Sequence, residues 1–430
     1  MVNAQSKSAE CCETGARKKV GILGGTGLVG RMLACELLHH PDFQCGPIIG
    51  SAKSAGRSFG DVWAEKEASL QAHYGDQLWK SECVGECPGE LATALVVSAK
   101  NVIANGTSEC SLIISAIAPR LGFLEDELRD AGFLVVSISP YKRQENPLCV
   151  LEANAPVLER ALVQSMGEPR AKRPLVKSPN CVCCGTSVVL RALSCAFGPL
   201  KEVSVTTMQS LSGRGDAKYP AHLVVGNVYP LHGTQEHTEA LIQEELITVL
   251  GDAVGALSVT AYRVSVQRGH LVDVRVKLRD GNISTPEQVY AALESFDPLA
   301  DVRKHLPSVP ANPIVVERAG GCPRSADHHS ANGGLSITAG NIKVNNGPYD
   351  ICLSLVVDNL KKGALSAALQ LLEYTVHVEK SKQQAQTNIT NKPKRKPSTD
   401  AAQRKRSIPE RILTHPIRTM KLVNKNYSIF

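Results

Sequence analysis

Apolar positions along this chain fall into two textures. Near the N-terminus an apolar run at residues 20–23 precedes a helical pattern over 28–38, and a second apolar run closes at 47–50. Further apolar runs at 112–116 and 133–138 are separated by a helical stretch at 123–130. Short buried-type strands alternating with helices predict a parallel sheet with crossover connections over about residues 19–168. From Pro174 onward β-branched residues alternate with polar ones over longer stretches, 200–208 and 259–278, which predicts a half-solvated mixed or antiparallel sheet. An Ala/Leu-rich helical segment, 363–378, follows a strand at 351–357. Beyond it Lys, Arg, Gln, Asn and Pro dominate and apolar periodicity vanishes until Ile408, so disorder is predicted to about residue 407. No internal repeat interrupts this order.

Length and composition narrow the class without changing that picture. A chain of 430 residues accommodates two cored domains and a tail, and 43% hydrophobic with 21% charged residues is ordinary for a globular protein. No apolar run approaches the roughly 18 residues of a membrane span, and residues 1–18 lack the apolar core of a secretory signal. Fourteen scattered cysteines without such a signal read as free thiols in a reducing, cytoplasmic setting rather than as disulfides. The net charge of +7 is misleading. Residues 380–430 carry thirteen Lys or Arg against Asp400 and Glu410, a net +11, which leaves the rest of the chain at −4. The folded body therefore has no basic footprint for nucleic acid. The tail clusters at 392–397 and 404–406 are similar to nuclear-targeting or polyanion-binding segments, although a solvated tail is the commoner case. Asn388-Ile389-Thr390 matches a glycosylation acceptor that matters only in a secreted protein, and His328-His329 reads as surface loop.

The candidate chemistry lies in three places. Gly24-Gly25-Thr26-Gly27-Leu28-Val29-Gly30 follows the first apolar run and opens the first helix, where backbone N–H groups can approach a pyrophosphate. Gly24, Thr26, Gly27, Leu28 and Val29 are thus candidate cofactor contacts. After the second strand stand Ser51, Lys53, Ser54 and Arg57 with no acidic residue, a set suited to a 2′-phosphate, so NADP is expected rather than NAD. Farther on, Ser178-Pro179-Asn180-Cys181 supplies a thiol, and Arg263 precedes His270 by seven residues. A thiolate attacks carbonyls readily and leaves a thioester, a histidine carries protons, and an arginine fork holds a carboxylate. With the glycine turn, these describe an enzyme that makes or breaks a thioester while moving a hydride. Cys183 and Cys184 are local rivals to Cys181, and all three read equally as small core residues. Zinc is not expected, because Cys-x-Cys-Cys lacks a second ligand cluster.

Taken in order, Gly-x-Thr-Gly-x-Val-Gly, the segment Ser-Ala-Lys-Ser-Ala-Gly-Arg at 51–57, Pro-Asn-Cys, Thr-Thr-Met-Gln-x-x-Ser-Gly, Arg-Val-x-Val-x-x-Gly-His and Asn-Leu-x-x-Gly-Ala resemble the aspartate-β-semialdehyde dehydrogenase family of archaea and fungi over about residues 19–378. The resemblance implies an α/β chain: a Rossmann-type dinucleotide-binding domain plus an α+β catalytic and dimerisation domain. The expected parts are a leader at 1–18, the dinucleotide-binding domain at 19–173, the catalytic domain at 174–358, a returning helix at 359–379 and a basic tail at 380–430. It implies Cys181 as nucleophile and His270 as acid/base. Arg263 would hold the substrate carboxylate, Gln209 would orient the substrate, and Arg143 would bind the phosphoryl group or inorganic phosphate. Asn359, with Leu360 and Gly363, would meet the nicotinamide amide. The implied reaction is NADP-dependent reductive dephosphorylation of L-aspartyl-4-phosphate to L-aspartate-4-semialdehyde, for lysine, threonine and methionine biosynthesis, in a homodimer or homotetramer with no membrane partner.

One departure stands out. The family's Glu-x-x-Lys pair is replaced by Gln235 and Thr238. Glu236 is the candidate to meet the substrate ammonium in its place, with His237 or Lys218 as substitute cation. A catalytically impaired, nucleotide-sensing paralogue is therefore one alternative. Another acyl-phosphate reductase, such as an N-acetyl-γ-glutamyl-phosphate reductase, is a second, disfavoured by the Pro-Asn-Cys context and Arg263. In a glyceraldehyde-phosphate dehydrogenase, Arg263 would lack its carboxylate.

Overall fold

A computed structural model of the chain describes residues 16–75, 85–169, 172–214, 221–232, 237–280, 283–318 and 321–390. The chain divides into two units, Met1–Gln383 and Gln384–Phe430. The first holds every strand of the described residues and most of the last helix. Of the second, only the end of that helix is described.

The first sheet is parallel throughout: β1 (Lys18–Leu23), β2 (Phe43–Ile49), β3 (Leu112–Ser115), β4 (Leu134–Ser137) and β5 (Val176–Lys177), in the order β2-β1-β3-β4-β5. Its central strands are buried on both faces, which is why β3 and β4 read as unbroken apolar runs rather than alternating ones. The turn leaving β1 passes through Gly24 at φ +84°, where an added Cβ would stand 2.7 Å from the Ala116 carbonyl oxygen. Only glycine fits there. The helix Leu28–His39 then packs Leu33 and Leu37 onto the sheet. Where β3 and β4 end, the fully buried Glu125 accepts hydrogen bonds from Ser115 (2.6 Å) and Ser137 (2.7 Å) and is ion-paired with Lys177.

The second sheet is mixed, as the alternating texture predicts. It comprises β6 (Leu200–Gln209), β7 (Val228–Pro230), β8 (Val254–Val264), β9 (His270–Leu278), β10 (Ile314–Val316), β11 (Ile337–Asn346) and β12 (Tyr349–Val357). Their order is β10-β11-β12-β9-β6-β8-β7. The apolar stretch 259–278 is two strands rather than one, broken at residues 265–269 where Gly269 takes φ +87°. One face packs Val203 and Val205 of β6, Val272 and Val274 of β9 and Leu353 of β12 against the helices Cys181–Phe197 and Thr238–Leu250. The other face, with Ser204, Thr206, Met208, Ser258, Thr260, Leu271 and Arg275, is partly or fully exposed.

The C-terminal helix differs from expectation. It spans Ser366–Thr390, beyond residue 378 and across the expected tail boundary at 380. Glu, Lys, Gln and Ala after residue 378 are strong helix formers, the next proline is Pro393, and Glu379 pairs with Arg173 at 2.6 Å. Its Leu369 and Leu372 join the core of the first sheet, each fully buried and contributing about 1.5–3 kcal/mol. The basic clusters at 392–397 and 404–406, like Lys218, Gln235 and Glu236, lie outside the described residues. No helix among the described residues is long and apolar enough to cross a membrane.

Candidate active site

The nucleophile candidate is placed by a helix start. Pro179 ends extended chain, Asn180 caps the helix Cys181–Phe197 by accepting the Val182 N–H at 2.9 Å, and Cys181 is the first helical residue. Its thiol therefore sits at the positive end of the helix dipole, which favours a thiolate. Sγ lies 3.1 Å from His270 Nε2. Burial pushes the Cys181 thiol up from its ordinary range, and the nearby charges of Arg263 and Arg143 pull it down. The rivals face elsewhere. Cys183 points its thiol at the Ile242 carbonyl (3.6 Å) and Cys184 at that of Pro179 (3.7 Å). Burial raises Cys184 to about 12 and Cys183 well above the usual thiol range, so both are inert neutral thiols.

Strand order explains why residues 263 and 270 belong together. Strand β6 lies between β8, parallel to it, and β9, antiparallel to it. Gln209 ends β6 in register with Arg263, and His270 opens β9 on the other side. The connection 265–269 crosses the end of β6, pinned by Leu211 N–H to the Val266 carbonyl (2.8 Å) and Ser212 N–H to the Gln267 carbonyl (3.0 Å). Arg263 donates to the Ser210 carbonyl at 2.6 Å, and Gln209 donates to Thr207 Oγ1 at 3.2 Å. All three side chains are buried. Burial and the Arg263 charge hold His270 well below its ordinary pKa, so at neutral pH the ring is uncharged. Gly213 closes over this group. An added Cβ there would stand 2.9 Å from His270 Cε1, 3.0 Å from Nε2 and 3.2 Å from Arg263 Nη1. Gly363 lies against Cys181 in the same way, its added Cβ 2.5 Å from that of the cysteine.

Asn359 stands behind His270. Its Oδ1 accepts from Ser210 Oγ and from the Gly269 N–H, each at 2.9 Å, and its Nδ2 donates to Ser212 Oγ at 2.9 Å. Most of its hydrogen-bonding capacity is thus spent bracing the loop that carries the histidine.

Arg143 reaches the nucleophile through a residue that sequence reasoning missed. Glu245, on the helix Thr238–Leu250, accepts from Arg143 Nη1 at 2.8 Å with one oxygen and from the backbone N–H of Asn180 with the other. Arg143 also donates to the Ile138 carbonyl, and its Nε is buried with no hydrogen-bond partner among the described residues. Of the substituted family positions, Thr238 is buried as the first residue of its helix, after an exposed His237 at φ +47°.

At the glycine turn, Gly27 stands before the helix Leu28–His39 with no side-chain cap, so the first helical N–H groups are left for an anion. Leu28 is buried, while Thr26 and Val29 are half-buried. After β2, Ser51 and Lys53 are exposed, and Ser51 Oγ is 3.3 Å from that of the buried Ser54. Arg57 is engaged with Glu65 at 2.7 Å, whereas the exposed Lys53 has no ion pair among the described residues. No cluster of three or more metal-ligating side chains occurs among the described residues.

Comparison with known proteins meets this geometry at both sheets. Residues 19–161 match the semialdehyde dehydrogenase NAD binding domain, and residues 190–362 match the semialdehyde dehydrogenase dimerisation domain. The aspartate-semialdehyde dehydrogenase of Schizosaccharomyces pombe is 28% identical over 374 residues, covering 84% of this chain and 98% of the relative. That of Methanothermobacter thermautotrophicus is 26% identical over 365 residues, covering 81% and 96%. The crystal structure of the Candida albicans aspartate-semialdehyde dehydrogenase with NADP superposes with a TM-score of 0.71 at 21% identity, over 85% of this chain and 99% of that one, and shares the fold. With its two sheets each matched to its own semialdehyde dehydrogenase domain, and full-length relatives in fungi and archaea, the chain belongs to the aspartate-semialdehyde dehydrogenase family of the fungal and archaeal type.

Proposed function

We propose that this protein is an NADP-dependent aspartate-semialdehyde dehydrogenase, reducing L-aspartyl-4-phosphate to L-aspartate-4-semialdehyde with release of phosphate, in the biosynthesis of lysine, threonine and methionine. The observation that carries the reading is a thiol at a helix N-terminus, 3.1 Å from a buried neutral imidazole and flanked by a buried arginine. The same contact disfavours a catalytically silent paralogue. Cys181 attacks the acyl carbonyl as His270 takes the thiol proton, and the C–O bond to phosphate breaks to leave an enzyme thioester. NADPH, when bound, would supply the hydride that reduces the thioester. His270 then moves the proton that accompanies release of the aldehyde and regeneration of Cys181. Arg263 orients the substrate carboxylate and Gln209 the acyl group, while Arg143 receives the phosphate.

The cofactor residues fit their task. A positive-φ glycine, an uncapped helix N-terminus and a basic, acid-free loop after β2 suit a dinucleotide carrying a 2′-phosphate. Gly24, Thr26, Gly27, Leu28 and Val29 would hold the pyrophosphate, Ser51, Lys53 and Arg57 the 2′-phosphate, and Asn359 would meet the nicotinamide amide through what its bracing role leaves over. We assign the dinucleotide-binding domain to residues 19–173, the catalytic and dimerisation domain to 174–358 and the returning segment to 359–379. The protein acts as a homodimer or homotetramer in the cytoplasm, its partly exposed second-sheet face being the surface for self-association. The test is phosphate-dependent NADP reduction with L-aspartate-4-semialdehyde. Absence of turnover while N-acetylglutamate semialdehyde is oxidised would replace the substrate assignment.

A further inference from the structure

We infer that Ser210 is a positioning residue that gives His270 Nδ1 a partner in each of its protonation states, so that the ring can both take and return a proton. This rests on the proposed thioester chemistry for its purpose, and on geometry for its substance.

Ser210 is fully buried just past the end of β6. Its backbone N–H donates to His270 Nδ1 at 3.0 Å, and its hydroxyl oxygen lies 3.1 Å from the same nitrogen. An N–H can serve only a bare Nδ1. That bond belongs to the tautomer with its proton on Nε2, facing the Cys181 sulfur. The hydroxyl serves the opposite state, and the reason lies one residue farther back. Asn359 Oδ1 accepts the Gly269 backbone N–H at 2.9 Å, and a backbone donor can face only the oxygen of that amide. The orientation of Asn359 is thereby set. Ser210 Oγ, 2.9 Å from that oxygen, donates its single proton to it, the shortest of its contacts. What Ser210 Oγ then offers Nδ1 is a lone pair, which can bond only an Nδ1–H.

The two halves of Ser210 therefore hold the two conditions that the chemistry needs. With Nδ1–H on Ser210 Oγ, Nε2 is bare and accepts the thiol proton 3.1 Å away. The resulting imidazolium keeps its Nδ1–H paired. With Nδ1 bare on the Ser210 N–H, Nε2–H is the donor that returns a proton. In a site this buried, an unpaired N–H on a cation would be strongly disfavoured. The charged or titratable groups facing the ring are Arg263 from β8 and the Cys181 thiol from its helix. The nearby Arg268–Asp358 pair is closed on itself at 2.7 Å. Arg263 repels a charged ring, so the acceptor at Nδ1 is what opposes it locally.

The test is Ser210→Ala, which keeps the backbone donor and removes only the acceptor, alongside Ser210→Thr, which keeps the hydroxyl. Two readouts are followed against pH: kcat, and alkylation of Cys181 by iodoacetamide, which needs no substrate. For Ser210→Ala, kcat falls about ten- to a hundred-fold, as expected when a buried charged group loses one hydrogen bond. KM for the semialdehyde stays within about two-fold, and alkylation at neutral pH slows with its midpoint displaced to higher pH. Ser210→Thr recovers both readouts. Thermal unfolding and NADP binding establish that each variant is folded. A folded Ser210→Ala with wild-type kcat and alkylation profile overturns the inference. Displaced alkylation in a protein that turns over no semialdehyde upholds it and rejects the substrate assignment instead.

Discussion

Alanine at position 213 probes how closely the backbone at Gly213 packs over His270 and Arg263. Gly213 has no positive φ, so alanine adds no backbone strain and the substitution acts by volume alone. The new methyl would lie 2.9 Å from His270 Cε1, 3.0 Å from Nε2 and 3.2 Å from Arg263 Nη1, against ordinary contacts of about 3.5–4.0 Å. Relief requires a shift of roughly 0.5–1 Å, shared between ring and guanidinium. If the ring moves away from Cys181, the 3.1 Å contact opens to about 3.6–4 Å, the long end of a hydrogen bond to sulfur and a poor distance for proton transfer. A misplacement of about 1 Å costs on the order of a hundred-fold in rate. We therefore expect kcat/KM for phosphate-dependent NADP reduction to fall about a hundred-fold, with NADP affinity and thermal stability close to wild type. A Gly213→Ala enzyme within about three-fold of wild type would refute the argument, because the site would then have room that these distances deny.

Three further outcomes are expected. Cys181→Ser abolishes turnover and removes the alkylated thiol while Cys183→Ser does neither, and because burial raises the Cys181 thiol its alkylation quickens as pH climbs toward and beyond 9. Mass spectrometry of the labelled peptide decides this, and label on Cys183 or Cys184 would reverse it. Lys53→Glu lowers the NADP-over-NAD ratio of kcat/KM by ten-fold or more, since one charge-assisted contact is worth about 1.5–3 kcal/mol, whereas Arg57→Ala, already paired with Glu65, does less; the reverse ranking would move the 2′-phosphate to Arg57. Glu245→Ala leaves Arg143 buried without its counter-charge and costs about 3–5 kcal/mol in chemical denaturation, a loss below about 1 kcal/mol meaning that the pair carries no structural weight.

The fold's two textures were legible because burial on both faces and burial on one face leave different periodicities. The glycine turn and the Pro-Asn-Cys helix start were legible because cap and turn chemistry is local. Glu245 was not, since a glutamate in a helix reads as solvent-facing unless its distant partners Arg143 and Asn180 are known. Nor was Ser210, whose role depends on the register of β6 against β9 and on a side-chain amide 149 residues away. The break at 265–269 left a trace in Gly269, whose positive φ turns the chain just before His270. The helical extension to Thr390 went unseen because polar helix formers look the same in a tail as in an exposed helix.

The position of β6 between β8 and β9 has a consequence for how the molecule assembles. Cys181 belongs to a helix that can form from neighbouring residues, but its partner His270, 89 positions later, arrives only when β8 has paired in parallel and β9 has docked on the opposite edge. Parallel pairing over long loops is slow because closure entropy precedes any gain in contacts. A newly made chain therefore carries an unpartnered thiol until β9 engages β6. The reactive pair is a product of long-range strand pairing, so catalytic competence cannot precede the docking of β9 on β6.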